Sequence, residues 1–255
     1  MDYLKSFVIG SSGLVVFQHF AYAALQKEGA FTVPYKKYVL AAPIYYGLMN
    51  VLSLYIGKVF NLSLAERLFL ISIVSIVFIV SGSYFYSRKL YKPYSTYDTK
   101  EWLLYIIRNG SRHIIAFNLI MYYFEKYFSK SYPLKVFIIG SSAFSYLITY
   151  YKVGLLDELN KINYDYKLFT VVEPFGHGLI FVFGAIILKK LLNTSVENSI
   201  FVNSILFPIV WYIFVRYVVK TYRYNNKELL TAFIRVLITI IIIQNFVLGN
   251  LLKYL

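Results

Sequence analysis

Eight long apolar runs, separated by short stretches that hold most of the charges, constrain this chain more than any other feature. They cover roughly residues 5–26, 38–57, 68–87, 102–124, 134–151, 168–188, 199–219 and 229–252. Each is close to the ~20 residues that a helix needs to cross a ~30 Å hydrocarbon core. Lipid offers no partner to a free N–H or C=O, so a crossing segment of this kind must satisfy its own backbone as a helix. The β-branched run Ile238 to Ile243 would suit a strand in water, but the apolar segment around it is too long and lacks period-two alternation. Composition agrees. Hydrophobic residues make up 59% and charged residues 15% of the 255, against about 45–50% and about 25% in a soluble domain. The expected fold class is therefore all-α, a polytopic membrane protein with eight transmembrane helices.

The chain also matches itself. Leu4-Lys5-Ser6-Phe7-Val8-Ile9-Gly10-Ser11-Ser12 recurs as Leu134-Lys135-Val136-Phe137-Ile138-Ile139-Gly140-Ser141-Ser142. Tyr35-Lys36, Pro43 and Gly47-Leu48 recur as Tyr166-Lys167, Pro174 and Gly178-Leu179, and Glu66 matches Glu197. Farther on, Lys100-Glu101, Arg108, Asn118 and Lys126-Tyr127 match Lys227-Glu228, Arg235, Asn245 and Lys253-Tyr254. The matches are collinear at a nearly constant offset of half the chain, as a tandem repeat requires. Biased composition easily produces chance Leu and Ile matches, but it is a poor source of Gly, Pro, Glu, Arg and Asn in register. The reading is two four-helix repeats, residues 1–130 and 131–255. Four spans is an even number, so each repeat enters and leaves on one side and the two are expected to be parallel rather than inverted.

The formal net charge is +14, and the basic residues sit singly or in pairs between apolar runs rather than on one contiguous face. That spacing argues against a nucleic-acid partner and suits membrane loops. The loops opposite the termini carry the larger share of Lys and Arg. By the positive-inside tendency the termini then face away from the cytosol or matrix. On that count the 58–67 link, Arg67 included, belongs to the less basic side. There is no cysteine, which excludes disulfides, thiolate metal sites and Cys nucleophiles. The first apolar run is too long for a cleavable signal, so none is expected. Abundant Ile, Phe, Tyr, Lys and Asn is the mark of an AT-rich genome and favours an organellar, viral or other internal membrane.

Ionisable groups inside apolar runs are the best functional clue, because each costs about 2.5–3.5 kcal/mol at the bilayer centre when unpaired. The candidates are Arg108, Arg112, His113 and Asn118 in the fourth run, Glu173 and His177 in the sixth, and Arg235 and Asn245 in the eighth. Glu173 and the matched Arg108 and Arg235 lie at similar depths from the same side. Glu173 is expected to pair with one of these arginines, or else the arginines turn to Glu101 and Glu228. Two readings fit: a wet path between the repeats for a small polar or anionic solute, or a dry network that fixes helix packing. Gly10, Ser11, Gly140 and Ser141, with Pro43 and Pro174, are expected to set helix packing, since small residues let backbones approach in lipid. No metal-ligand spacing, nucleotide loop or nucleophile elbow is present, so no metal, cofactor or catalysis is expected. The partners expected are the lipid bilayer and its anionic headgroups, with either a homo-oligomer or a larger membrane assembly. In that last case the chain would be a structural subunit.

The second half resembles the small four-span protein family of peroxisomal and mitochondrial inner membranes. Members carry a Gly-Pro-x-x-His-x-Trp-Tyr-like stretch in the second span and Gln-x-x-Asn-Phe in the last. Here these read Glu173-Pro174-Phe175-Gly176-His177 and Gln244-Asn245-Phe246. Glu173 stands in place of the Gly, no Trp-Tyr pair follows, and Gln244 abuts Asn245. The first half keeps Pro43 and Asn118, with Tyr46 at the His position. The resemblance implies a channel-like or homeostatic membrane role, carried here on a doubled unit.

Overall fold

The computed structural model describes residues 2–13, 35–75, 117–143, 173–217 and 225–255, together with Val77, Leu104, Ile107 and Ile115. The described residues form eight helices and no strand. They are α1 (2–13), α2 (Tyr35–Val59), α3 (64–75), α4 (117–127) and α5 (Tyr132–Ala143). α6 runs from Glu173 to Leu192, α7 spans Val196–Tyr217, and α8 runs from Asn226 to Tyr254. Among the described residues three stretches are long and apolar enough to cross a membrane: Pro174–Leu192 with 19 residues, Val196–Ile213 with 18, and Asn226–Tyr254 with 29. At ~1.5 Å per residue these reach about 29, 27 and 44 Å. They fall at the last three of the eight expected runs; the runs at 5–26, 68–87, 102–124 and 134–151 lie partly outside the described residues. The isoleucine run at Ile238 is helical, because a continuous apolar segment closes its own hydrogen bonds most cheaply that way.

The helix ends are set by local chemistry. Asn61 and Asn193 adopt left-handed backbone, φ 51° and 47°, which Asn tolerates better than other side chains. Each reverses the chain after its helix, and the next amide returns to the last turn: Leu62 N–H donates to Gly57 O at 2.9 Å and Thr194 N–H to Lys189 O at 3.3 Å. New helices then start at serine caps. Ser63 Oγ accepts from Glu66 N at 3.4 Å while Glu66 Oε2 accepts from Ser63 N at 2.8 Å, a reciprocal capping box. Ser195 caps α7 through Asn198 N at 3.1 Å, and Asn225 forms a second capping box with Glu228.

Packing follows the glycines. A Cβ on Gly10 would meet Tyr46 O at 2.5 Å and Gly47 Cα at 3.1 Å, so α1 and α2 touch backbone to backbone. α5 and α6 do the same, with Gly140 against Gly178 Cα at 3.2 Å. Phe7 and Ser11 cover Gly47, and Phe137 and Ser141 cover Gly178. Pro43 and Pro174 are both buried on the second helix of each pair. One apolar cluster runs through both halves, joining Val8, Ile9, Leu68 and Met121 to Val136, Ile139, Phe181 and Ile240.

α6 and α8 each widen into a π turn, at Phe183–Leu188 and Ile243–Leu248. A π turn takes one carbonyl out of the i→i−4 ladder. Asparagines meet carbonyls just ahead of both: Asn203 Nδ2 donates to Ile180 O at 3.3 Å and Asn245 Nδ2 to Ile241 O at 2.8 Å.

Two predictions follow from these contacts. Gly178→Ala should cost about 1–3 kcal/mol by overpacking, whereas Gly176→Ala, with nothing within 4 Å of its added methyl, should be neutral or gain up to about 1 kcal/mol; thermal unfolding in detergent separates them. The Ser63 hydroxyl and amide hold the Glu66 carboxyl below the usual carboxylate range. Its contribution is therefore present above the unfolded-state value, about 4.3, and is lost as pH falls through the lower folded value. Amide protection at the first turn of α3, measured by hydrogen exchange corrected for its intrinsic pH dependence, should fall below that point and stay flat between pH 6 and 8.

Candidate functional site

The most polar buried place among the described residues lies inside the first half, where α1, α2, α3 and α4 meet. Arg67 Nη2 lies 3.3 Å from Glu125 Oε2, and the two side chains are only 8% and 11% exposed. The second carboxylate oxygen, Oε1, accepts from Asn50 Nδ2 at 2.9 Å and from Ser6 Oγ at 3.5 Å. Asn50 Nδ2 also donates to Ser6 O at 2.7 Å, and Ser6 Oγ donates to Asn50 O at 3.0 Å. Two helices are thereby cross-linked by reciprocal bonds, and a third and fourth by the ion pair. Gly57 makes the room: a Cβ there would stand 2.6 Å from Arg67 Cδ.

The placement of Arg67 corrects its expected position among the loop cations. The Ser63 cap starts α3 at residue 64, so Arg67 already lies within the helix and on its inward face, 7% exposed. Glu125, at the end of the fourth apolar run, is drawn in beside it. By contrast a second ion pair, Lys58 Nζ to Asp2 Oδ2 at 3.0 Å, has side chains 47% and 70% exposed.

A second polar layer lies in the other half. Asn203 Nδ2 donates to Gln244 Oε1 at 3.1 Å, and Asn245 Nδ2 donates to Ser204 Oγ at 3.2 Å. Gly184 leaves space for Asn203, whose side chain would lie 2.7 Å from an added Cβ. The first half has a matching bond, Asn118 Nδ2 to Ser72 Oγ at 2.6 Å. His177 is 2% exposed, edge-on to Phe207 with ring centroids 5.4 Å apart.

The residues proposed for a polar seam are thus distributed as follows. Asn118, His177 and Asn245 are found in helix–helix contacts within their own halves. Arg235 is exposed on α8, where its carbonyl accepts from Thr239 Oγ1 at 2.8 Å. Glu228 serves the α8 capping box. Arg108, Arg112, His113 and the side chain of Glu173 lie outside the described residues, and so does the expected Glu173 pairing. Gly10, Ser11, Gly140, Ser141, Pro43 and Pro174 are buried at the α1–α2 and α5–α6 contacts.

Sequence reasoning missed Ser6, Asn50, Arg67 and Glu125. A signal existed. At the sequence offset Ser6, Asn50, Gly57 and Glu125 read Val136, Phe181, Leu188 and Leu252, while Arg67, in the register of Asn61 with Asn193 and of the Ser63 and Ser195 caps, reads Ser199. Val136 and Phe181 are fully buried, and Leu188 and Leu252 nearly so. These positions, ionic in the first half, are thus apolar in the second except for the small, fully buried Ser199. No family model, curated protein or solved structure matches the chain.

Removing one partner of a buried pair leaves an uncompensated charge, at a cost of about 3–5 kcal/mol. Arg67→Leu and Glu125→Leu should each destabilise on that scale. The double variant should recover much of the loss, because Val136, Phe181 and Leu252 already fill the equivalent layer. A double-mutant cycle in detergent unfolding measures this. Additive losses would mean that the pair carries no coupling.

Proposed function

We propose that this is a multi-pass integral membrane protein of two parallel four-helix repeats, residues 1–130 and 131–255, crossing the bilayer eight times. Its first repeat gives passage to a small, neutral, polar solute. Support for the repeat comes from contacts that recur at the sequence offset: Gly10–Gly47 with Gly140–Gly178, Phe7 and Ser11 with Phe137 and Ser141, and Asn61 with Asn193. Ser12 Oγ donates to Ile9 O and Ser142 Oγ to Ile139 O, both at 3.0 Å. Support for the parallel sense comes from the end where links and termini gather: Lys58 reaches Asp2, and Lys5 Nζ donates to Ser129 Oγ at 2.9 Å.

The observation that carries the function is the Arg67–Glu125–Asn50–Ser6 cluster. Replacing a buried ion pair by well-packed apolar residues is often neutral or stabilising by about 1–4 kcal/mol. The residues at the matching positions of the second half are uncharged, so packing by itself does not require charge there. A polar cluster inside the bundle does supply partners to a solute leaving water. Arg67 and Glu125 cancel each other, which favours a neutral solute over an anion. The site lies within the first repeat rather than at the boundary between repeats.

A second reading is a structural subunit of a larger membrane assembly. The bonds Asn203–Gln244, Asn245–Ser204 and Asn118–Ser72 favour it, since they tie one helix to another through polar side chains and commit those groups to packing. Proteoliposome swelling decides between the two. With the wild type, glycerol and urea should enter faster than into empty liposomes, and Arg67→Leu/Glu125→Leu should return the rate to the empty-liposome level. Wild-type rates equal to those of empty liposomes would discard passage and leave the structural reading.

A further inference from the structure

The course of the Arg67 side chain along α2 defines a small space. Its Cδ lies against Gly57, and its Nη2 reaches Glu125, whose other oxygen is bound by Asn50. The guanidinium therefore lies between Gly57 and Asn50. Ser53 shares that helix face, three residues after Asn50 and four before Gly57, so it projects from α2 on the side along which the guanidinium runs.

Three polar atoms in this space have no hydrogen-bond partner among the described residues: Arg67 Nη1, Asn50 Oδ1 and Ser53 Oγ. Asn50 and Ser53 are 0% exposed and Arg67 is 7% exposed. Buried polar groups are almost always partnered by protein or by ordered water, because leaving one unmet costs its full desolvation. The three atoms also specify what would meet them. The guanidinium nitrogen only donates, the amide oxygen only accepts, and the hydroxyl does either. A partner to all three must both accept and donate in a compact volume.

We infer that α2, α3 and α4 enclose a binding site for one water molecule, coordinated by Arg67 Nη1, Asn50 Oδ1 and Ser53 Oγ. Three bonds is the usual complement of a buried water. Charge excludes the simplest rivals. Glu125 already neutralises Arg67, so a halide gains no net positive field and would face the Asn50 carbonyl. A cation would face the guanidinium. The second half provides an internal control: its matched residues are Phe181, Gly184, Leu188 and Ser199, which cannot form the same donor and acceptor set. One site per chain is therefore expected. The site stands whether or not the bundle passes solute, since it depends only on the geometry of the cluster.

A high-resolution crystal structure of the full chain grown from a lipid mesophase tests this. A single density peak within hydrogen-bond distance of all three atoms is the expected result. Ser53→Val, which replaces the hydroxyl with methyl groups, should abolish the peak while the Arg67–Glu125 pair persists. A wild-type map without the peak overturns the assignment, and so does a peak that survives Ser53→Val. An anomalous signal at that point from crystals grown in bromide also overturns it, in favour of an anion.

Discussion

The backbone contact of α1 with α2 at Gly10 and Gly47, repeated by α5 with α6 at Gly140 and Gly178, sets the distances on which the other described contacts depend. Side chains at either glycine would push the helices apart. Ser6 lies one turn before Gly10 and Asn50 about one turn after Gly47, so the antiparallel pair brings them level. Only at this spacing can the short Asn50 amide reach the Ser6 carbonyl at 2.7 Å while still donating to Glu125. Glu125 in turn holds Arg67, and Arg67 occupies the gap left by Gly57. In the second half the same approach brings Val136 and Phe181 level, and the layer closes by apolar contact instead.

Much of this is legible in the sequence, and the reasons differ by residue. The apolar length of α6, α7 and α8 is a direct consequence of hydrophobic content over about 20 positions. The small residues Gly10 and Gly140, placed within bulky helices, mark where another backbone must come close. Arg67 and Glu125 were illegible by the same logic. Each ends an apolar run, and a one-dimensional reading assigns a terminal charge to a loop. The remedy was present in Ser63-x-x-Glu66, a capping-box signature that moves the start of α3 ahead of Arg67. The π turns had no comparable sign, because a wider turn changes which carbonyl is free without changing composition. Only the asparagines beside them, Asn203 and Asn245, hint at a carbonyl in need of a donor.

Comparison of the two halves is informative in two opposite ways. Matches such as Gly10 with Gly140, Phe7 with Phe137 and Asn61 with Asn193 trace the shared frame: close contacts, ring covers and chain reversals. Mismatches trace the divergence. Ser6, Asn50, Gly57, Arg67 and Glu125 differ from Val136, Phe181, Leu188, Ser199 and Leu252 as a set. The members depend on each other: a Leu at position 57 would displace Arg67, and Glu125 without Arg67 would be an unpaired buried charge.

The helix dipoles sharpen that asymmetry. Arg67 lies near the start of α3, where the unsatisfied amides carry partial positive charge, and Glu125 lies in the last turn of α4, where the carbonyls carry partial negative charge. Each charge is thus at the wrong end of its own helix, at a cost of about 0.3–1 kcal/mol apiece, besides the desolvation of burying it. Glu66, on the same turn as Arg67 but facing out, has the favourable sign for that position and contributes to the cap. Helix stability alone would therefore place an acid or a neutral residue at 67 and a base at 125. The pair instead holds together through mutual contact and the Asn50 amide, against both its helices and its surroundings. A cluster that opposes the local preference of both its helices, at positions whose sequence matches in the second half are uncharged, is the observation on which the proposed passage of a polar solute rests.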